Sequence, residues 1–138
     1  ISKKIRIRQM LKNVQHDLAY NPPKKFKGSI LDGRDIGTVI MPDAHVKVYL
    51  TASLNVRAVR RYKEYKKMGI KTTLGRVKSD IKKRDYEDTH RKISSLKPAK
   101  DAVLLDSSFY NTKAAFVEID KVIRNEIKRL NATKHKSL

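Results

Sequence analysis

VKVYLTASLNVRAVRRYKEYKKM, residues 46–68, sets the architecture. Val46-Lys47-Val48-Tyr49-Leu50 follows Pro42-Asp43, is rich in β-branched and aromatic side chains, and predicts a strand. Ser53 offers an N-cap for a helix from about Leu54 to Met68, and Gly69 stands where a helix stops. Beyond it the spacing predicts a helix from Thr73 to His90, with Leu74, Val77 and Ile81 as apolar contacts. A loop at Ser95–Lys100 containing Pro98 precedes a strand at Ala102–Leu105, which leads into Asp106-Ser107-Ser108. The last predicted helix runs from Thr112 to about Leu130 with Phe116, Ile119, Ile123 and Ile127 inward, and the tail ATKHKSL is expected to fray.

Upstream, residues 3–20 read as a helix with Ile7, Met10, Leu11, Val14 and Leu18 on one stripe. Asn21-Pro22-Pro23 stops it, because proline biases the residue before it away from helix. The basic linker KKFKG then leads to a short strand, Ser29–Leu31, and the turn Asp32-Gly33-Arg34-Asp35. Strands alternating with helices indicate an α/β fold with a parallel sheet and flanking helices. Ligands in such sheets bind beyond the carboxyl ends of the strands, which here carry DGRD, TAS and DSS.

The bulk composition adds bounds. The 138 residues are enough for one domain, and 39% hydrophobic content can support a core. No apolar run is long enough to cross a bilayer, the basic start ISKKIRIRQM lacks the pattern of a signal peptide, and there is no cysteine. A cytoplasmic protein is expected. The formal net charge of +19 favours polyanions such as nucleotide phosphates or nucleic acid, yet lysines on solvated helices give the same count with no partner.

Arg84, Asp88 and Arg91 are spaced i, i+4 and i+7 on one helix and share a face. Guanidinium groups grip phosphate bidentately and a carboxylate accepts from ribose hydroxyls, so the group suits a nucleotide; spacing alone favours an ordinary ion-pair ladder on a solvated helix. Arg34 and Asp35 end a strand behind a glycine. Arg57, Arg60 and Arg61 cluster on the earlier helix, either to stabilise a transferring phosphoryl group or as a solvated basic face. The four histidines are scattered without metal-ligand spacing, and no metal site is expected. No Gly-x-Ser-x-Gly or Gly-x-x-x-x-Gly-Lys motif occurs, and no aromatic pairs suited to stacking RNA bases.

DGRDIGTVIMPDAHVKVYLTAS, RAVRRY and IKKRDYEDTHRKISSLKPAKDAVLLDSS together resemble the bacterial cytidylate kinases, over about residues 7–125 and in the family's order. The resemblance implies a P-loop NTPase-type parallel sheet and ATP-dependent phosphorylation of CMP or dCMP by a monomer, with Mg²⁺. It implies that Arg34 and Arg91 hold the CMP phosphate, Asp35 and Arg8 read the base, and Arg84 and Asp88 bind the sugar hydroxyls. Arg57, Arg60 and Arg61 fall in the lid over ATP, at about residues 54–80, and Asp106, Ser107 and Ser108 in a loop near the adenine. Residues 1–28 correspond to the end of a CMP-binding insert with its linker, and 29–138 to the rest of the kinase core.

The family begins with a strand, a P-loop and a helix that the reading does not find here. The expectation is therefore of a longer kinase's C-terminal majority, lacking its N-terminal P-loop segment, with a hole in its sheet and no competence alone. A basic RNA-binding protein without enzymatic activity is the alternative that the charge suggests.

Overall fold

The computed structural model describes residues 5–91 and 95–135. In chain order it contains α1 (Ile5–Tyr20), a π-helical turn (Ile36–Ile40), β1 (Val48–Thr51), α2 (Leu54–Lys67), α3 (Leu74–His90), β2 (Val103–Asp106) and α4 (Thr112–His135).

The strands β1 and β2 pair in parallel, with Val48 opposite Val103 and Thr51 opposite Asp106. Parallel neighbours need a long crossover, and the α2–α3 hairpin supplies it. The ladder extends at both ends, where Val103 N–H donates to Lys47 O at 2.9 Å and Ser107 N–H to Thr51 O at 2.8 Å. The expected hole in the sheet is thus corrected: the strands from the two sides of the crossover bond directly to each other.

Local signals explain the helix ends. Ser53 Oγ accepts from Val56 N–H and Thr73 Oγ1 from Arg76 N–H, so each hydroxyl satisfies one orphan donor of its helix. At the end of α2, Gly69 adopts φ +71°. Gly69 N–H then reaches Lys66 O at 3.1 Å and Ile70 N–H reaches Tyr65 O at 2.9 Å, the paired bonds of a Schellman stop. Ala58 of α2 and Val77 of α3 are buried, and the two helices pack against each other. Burying Val77 contributes about 1.5–2 kcal/mol.

Other expectations are corrected. Residues 29–31 form no strand. Ser29 donates instead to Ala19 O at 2.7 Å, and Ile30 is 94% exposed. With no neighbouring strand to accept its ladder, an extended triplet gains nothing by being straight. The α1 stripe faces solvent at Met10, Leu11, Val14 and Leu18. On α4, Ile119 and Ile123 are half-buried while Phe116 and Ile127 are exposed. The helix also continues past Leu130 to His135, where fraying was expected. Burial is thin overall: 11598 Å² is accessible, against about 7,400 Å² for an ordinary folded monomer of this size.

Candidate functional site: an arginine-lined cleft at the strand ends

The carboxyl ends of β1 and β2, the α2–α3 hairpin and the turn before the π-helical segment converge on one cleft. Its narrow part, about 320 Å³, is lined by Arg34, Arg57, Arg60, Arg61 and Arg84, with Glu64, Asp85 and Ile81. It lies beside a wider part of about 900 Å³ that runs past Gly33, Thr38, Tyr49, Thr51 and Ser107. Five arginines against two carboxylates make a positive, concave surface, and concave walls focus such a field onto an anion.

Asp88, like Arg91 not itself a lining residue, gathers the arginines of one wall. It pairs with Arg34, lies 3.4 Å from Arg91 Nη1 and 3.9 Å from Arg84 Nε, and its side chain is only 14% exposed. Of the residues expected on one face at i, i+4 and i+7, Arg84 and Asp88 lie on α3 while Arg91 is its C-cap in extended conformation and reaches Asp88 from there; Arg34 joins them from 54 residues away. A β-carbon at Gly33 would sit 2.9 Å from Ile36 Cγ1, so a larger residue before Arg34 would have to displace the Ile36 side chain.

Arg57 forms the opposite wall. Its Nε donates to Ala52 O at 2.9 Å, and its two terminal nitrogens fork onto Asp85 at 2.9 and 2.7 Å. A bidentate fork fixes the plane of the guanidinium. Arg60 turns the other way and donates to Ser107 Oγ, Ser107 O and Tyr110 O. Arg61 pairs with Glu64 at 3.0 Å and lies over the Tyr65 ring.

The loop after β2 is built from short polar bonds. Asp106 accepts from Ser108 Oγ at 2.6 Å and from Ser108 N–H at 2.8 Å. The Ser108 hydroxyl, then its N–H, and the Arg60 charge hold the Asp106 carboxyl below its ordinary range, against a smaller opposing effect of burial. Ser108 Oγ also accepts from Ser53 N–H at 2.8 Å, tying the loop to the start of α2.

The structure thus brings together Arg34, Arg84, Asp88 and Arg91, and sets Arg57, Arg60 and Arg61 around the same cleft. Asp35 is not among the cleft-lining residues. It is half-buried and caps the π-helical turn through its carbonyl, which accepts from Val39 N–H at 2.9 Å; its side chain makes no cap bond. Arg8 lies on α1. Of the DSS triplet only Ser107 lines the cleft. Sequence reading missed Asp85 and the carbonyls of Ser107 and Tyr110. Asp85 adjoins Arg84 in the RD-x-x-D motif, but its partner lies 28 residues away and leaves no local signal. Among the described residues no group of three or more His, Cys, Asp or Glu could hold a metal ion, and no helix is long and apolar enough to cross a membrane.

The family model described as cytidylate kinase matches residues 1–128. The cytidylate kinase of Streptococcus mutans is 44% identical over 123 residues, covering 89% of this chain and 52% of its own length. That of Leuconostoc mesenteroides is 43% identical, covering 88% of this chain and 52% of its own. That of Thermosipho melanesiensis is 39% identical, at 92% and 56%. The chain spans about half the length of the curated relatives it matches. The family match starts at the first residue, which overturns the expectation of a member lacking its N-terminal P-loop segment. The chain belongs to the cytidylate kinase family.

Proposed function

We propose that this chain serves the ATP-dependent phosphorylation of CMP or dCMP to the diphosphate. The observation that carries the reading is the cleft at the strand ends, where five arginines converge from the turn, α2 and α3. An oxygen of the CMP phosphate attacks the γ-phosphorus of ATP, the bond to the β,γ-bridging oxygen breaks, and ADP leaves with that electron pair. Such a transfer needs positioning and charge neutralisation more than covalent chemistry.

In this reading Arg34 and Arg91 hold the CMP phosphate and Arg84 and Asp88 the sugar. Their present pairing with Asp88 stands in for the ligand: a phosphate would replace the carboxylate as acceptor for Arg34. Asp35 and Arg8 read the cytosine. Asp35 spends no side-chain oxygen on capping its turn and so can accept from the exocyclic amino group, whereas uracil would oppose it with a carbonyl. Residues 54–80, which comprise α2 and the start of α3, form the lid, and Arg57 and Arg61 face the ATP phosphates. Residues 1–28 close the CMP-binding insert. The 106–108 loop lies on the adenine side.

Mg²⁺ is implied by the family chemistry, where it neutralises charge on the ATP phosphates. The acids beside the cleft do not fit a protein-built metal cage, because Asp85, Asp88 and Glu64 are each committed to arginines. A metal arriving on the nucleotide needs no such cage. A cytoplasmic monomer completes the reading.

The test is ADP release from ATP with CMP, dCMP, UMP or AMP as acceptor. CMP-dependent release that Asp35→Ala makes less selective against UMP supports the reading. Tight, steeply salt-dependent RNA binding that Arg34→Ala leaves intact, without ADP release, would transfer the case to an RNA-binding protein.

A further inference from the structure

Arg57, Arg60 and Arg61 share a face of α2, but their guanidinium groups are spent differently. Arg57 forks onto a carboxylate and Arg61 makes a single bond to an exposed one, and an arriving phosphate can replace either acceptor. Arg60 is committed to the backbone. Its Nη2 donates to Ser107 O at 2.6 Å and Tyr110 O at 2.8 Å, and its Nη1 to Ser107 Oγ at 3.1 Å. Those acceptors belong to one turn, closed by Tyr110 N–H on Ser107 O at 3.1 Å. Ser107 is the buried polar residue of the described structure, 4% exposed, and its own hydroxyl donates to Thr51 O at 3.0 Å. Both Nη2 hydrogens and one on Nη1 are used in this way, so a bidentate phosphate grip that included Nη2 would strip a charged donor from two carbonyls beside that buried hydroxyl, and only Nε–H and the second Nη1 hydrogen are left to face the cleft.

We propose that Arg60 is a positioning residue, a latch that fastens the 107–110 turn to α2 and so sets the ATP side of the cleft. The inference rests on the kinase reading for its ATP assignment, while the latch itself is a property of the free chain. A lysine keeps the charge and the stem but cannot fork across two carbonyls. Arg60→Lys therefore discriminates between charge and geometry.

Two readouts decide it. In kinase turnover, Arg60→Lys is expected to raise KM for ATP about tenfold, leaving KM for CMP and kcat within about threefold. In the ligand-free chain, amide hydrogen exchange at residues 107–111 is expected to speed up about tenfold while α1 stays unchanged. Wild-type exchange and wild-type KM for ATP in the lysine variant overturn the latch. So does a fall in kcat alone with the turn still protected, the mark of direct contact with the moving phosphoryl group. If Arg60→Ala loses its far-ultraviolet circular dichroism, the lysine variant carries the decision. Absence of CMP-dependent ADP release by the wild type sinks the kinase reading, and the exchange comparison then decides the latch by itself.

Discussion

The wall of the cleft and the outer helices hold their side chains in different ways. Around the cleft, beside local pairs such as Arg61–Glu64 and Arg91–Asp88, bonds join residues far apart in sequence: Arg34 to Asp88, Arg57 to Asp85, Arg60 to Ser107 and Tyr110. On α4 the described ion pairs are Lys121–Glu118, Arg124–Asp120 and Arg129–Glu126, each within one turn of the same helix. The α1 helix is intermediate. It is tied near its C-terminal end by Tyr20 to Asp43 and by Ser29 to Ala19 O, while its apolar stripe stays exposed. Local pairs stabilise a helix whether or not the rest is folded, so they add little to cooperativity. Long-range pairs exist only in the folded cleft, and their loss is felt by the whole site.

The largest break in that contrast should come from Asp88. Removing its carboxylate in Asp88→Ala takes away the acceptor of the part-buried Arg34 and the contacts with Arg84 and Arg91. We expect a loss of about 2 kcal/mol in urea unfolding, since depriving the Arg34 guanidinium of its carboxylate costs more than the pair contributes. CMP turnover should fall at least about a hundredfold. The matching change on α4, Asp120→Ala, should cost less than about 0.5 kcal/mol because its partner Arg124 is 71% exposed. Equal losses would erase the distinction between the two regions. A step smaller, Val77→Ala should cost about 1–2 kcal/mol, whereas Phe116→Ala, at a side chain 70% exposed, should stay within about 0.5.

What was legible in the sequence follows the same division. Ser53, Gly69 and the Arg84-Asp88 pair were readable because each is a relation between residues a few positions apart. So was the parallel sense of the two strands, because the crossover helices between them announce themselves by periodicity and caps, but their direct bonding was not, since a hole in the sheet was expected. Asp85 was passed over because its meaning lies in Arg57. The strand at 29–31 was read from three residues whose extended form has no neighbour to pair with. Periodicity on α1 and α4 names an apolar face without saying what covers it: Leu18 was placed on a stripe and Phe116 inward, and both are exposed. Pattern reports which way a helix would face; only tertiary contact reports what it faces.

Arg57 and Asp85 test how far a half-exposed fork counts as tertiary structure. Their side chains are 36% and 32% exposed, so solvent screens the pair and the fork must make up for it by geometry. A double-mutant cycle with Arg57→Ala and Asp85→Ala should give a coupling of about 1 kcal/mol. The same cycle on Lys121 and Glu118 should give about 0.3. A coupling near zero at Arg57–Asp85 would place that wall of the cleft with the solvated helices. Arg57→Lys should recover less than half of the coupling, because an ammonium group cannot match both carboxylate oxygens at once.

The smallest effect is a pH dependence that separates the regions by sign. Asp106 and Asp43 are both held below the ordinary carboxyl range, by Ser108 in one case and by the Tyr20 hydroxyl in the other. A depressed carboxyl gives stability that is present above its unfolded value, near about 3.9, and lost as the pH falls through the folded value. Acid therefore loosens both the 106–108 loop and the tie on α1. Alkali is selective. The Tyr20 phenol is raised, first by its bond to Asp43 and then by burial and the Asp43 charge. Its contribution is complete below the unfolded tyrosine value near about 10 and disappears as the pH climbs through the raised one. Melting temperature in wild type should accordingly fall more steeply above pH about 10 than in Tyr20→Phe, with the other five tyrosines common to both chains. Hydrogen exchange at 107–111 should not distinguish the two proteins, because the latch contains no phenol hydroxyl. Coincident alkaline limbs would mean that the Tyr20–Asp43 bond does not hold α1, and that this helix is kept in place by its contact with the π-helical turn instead.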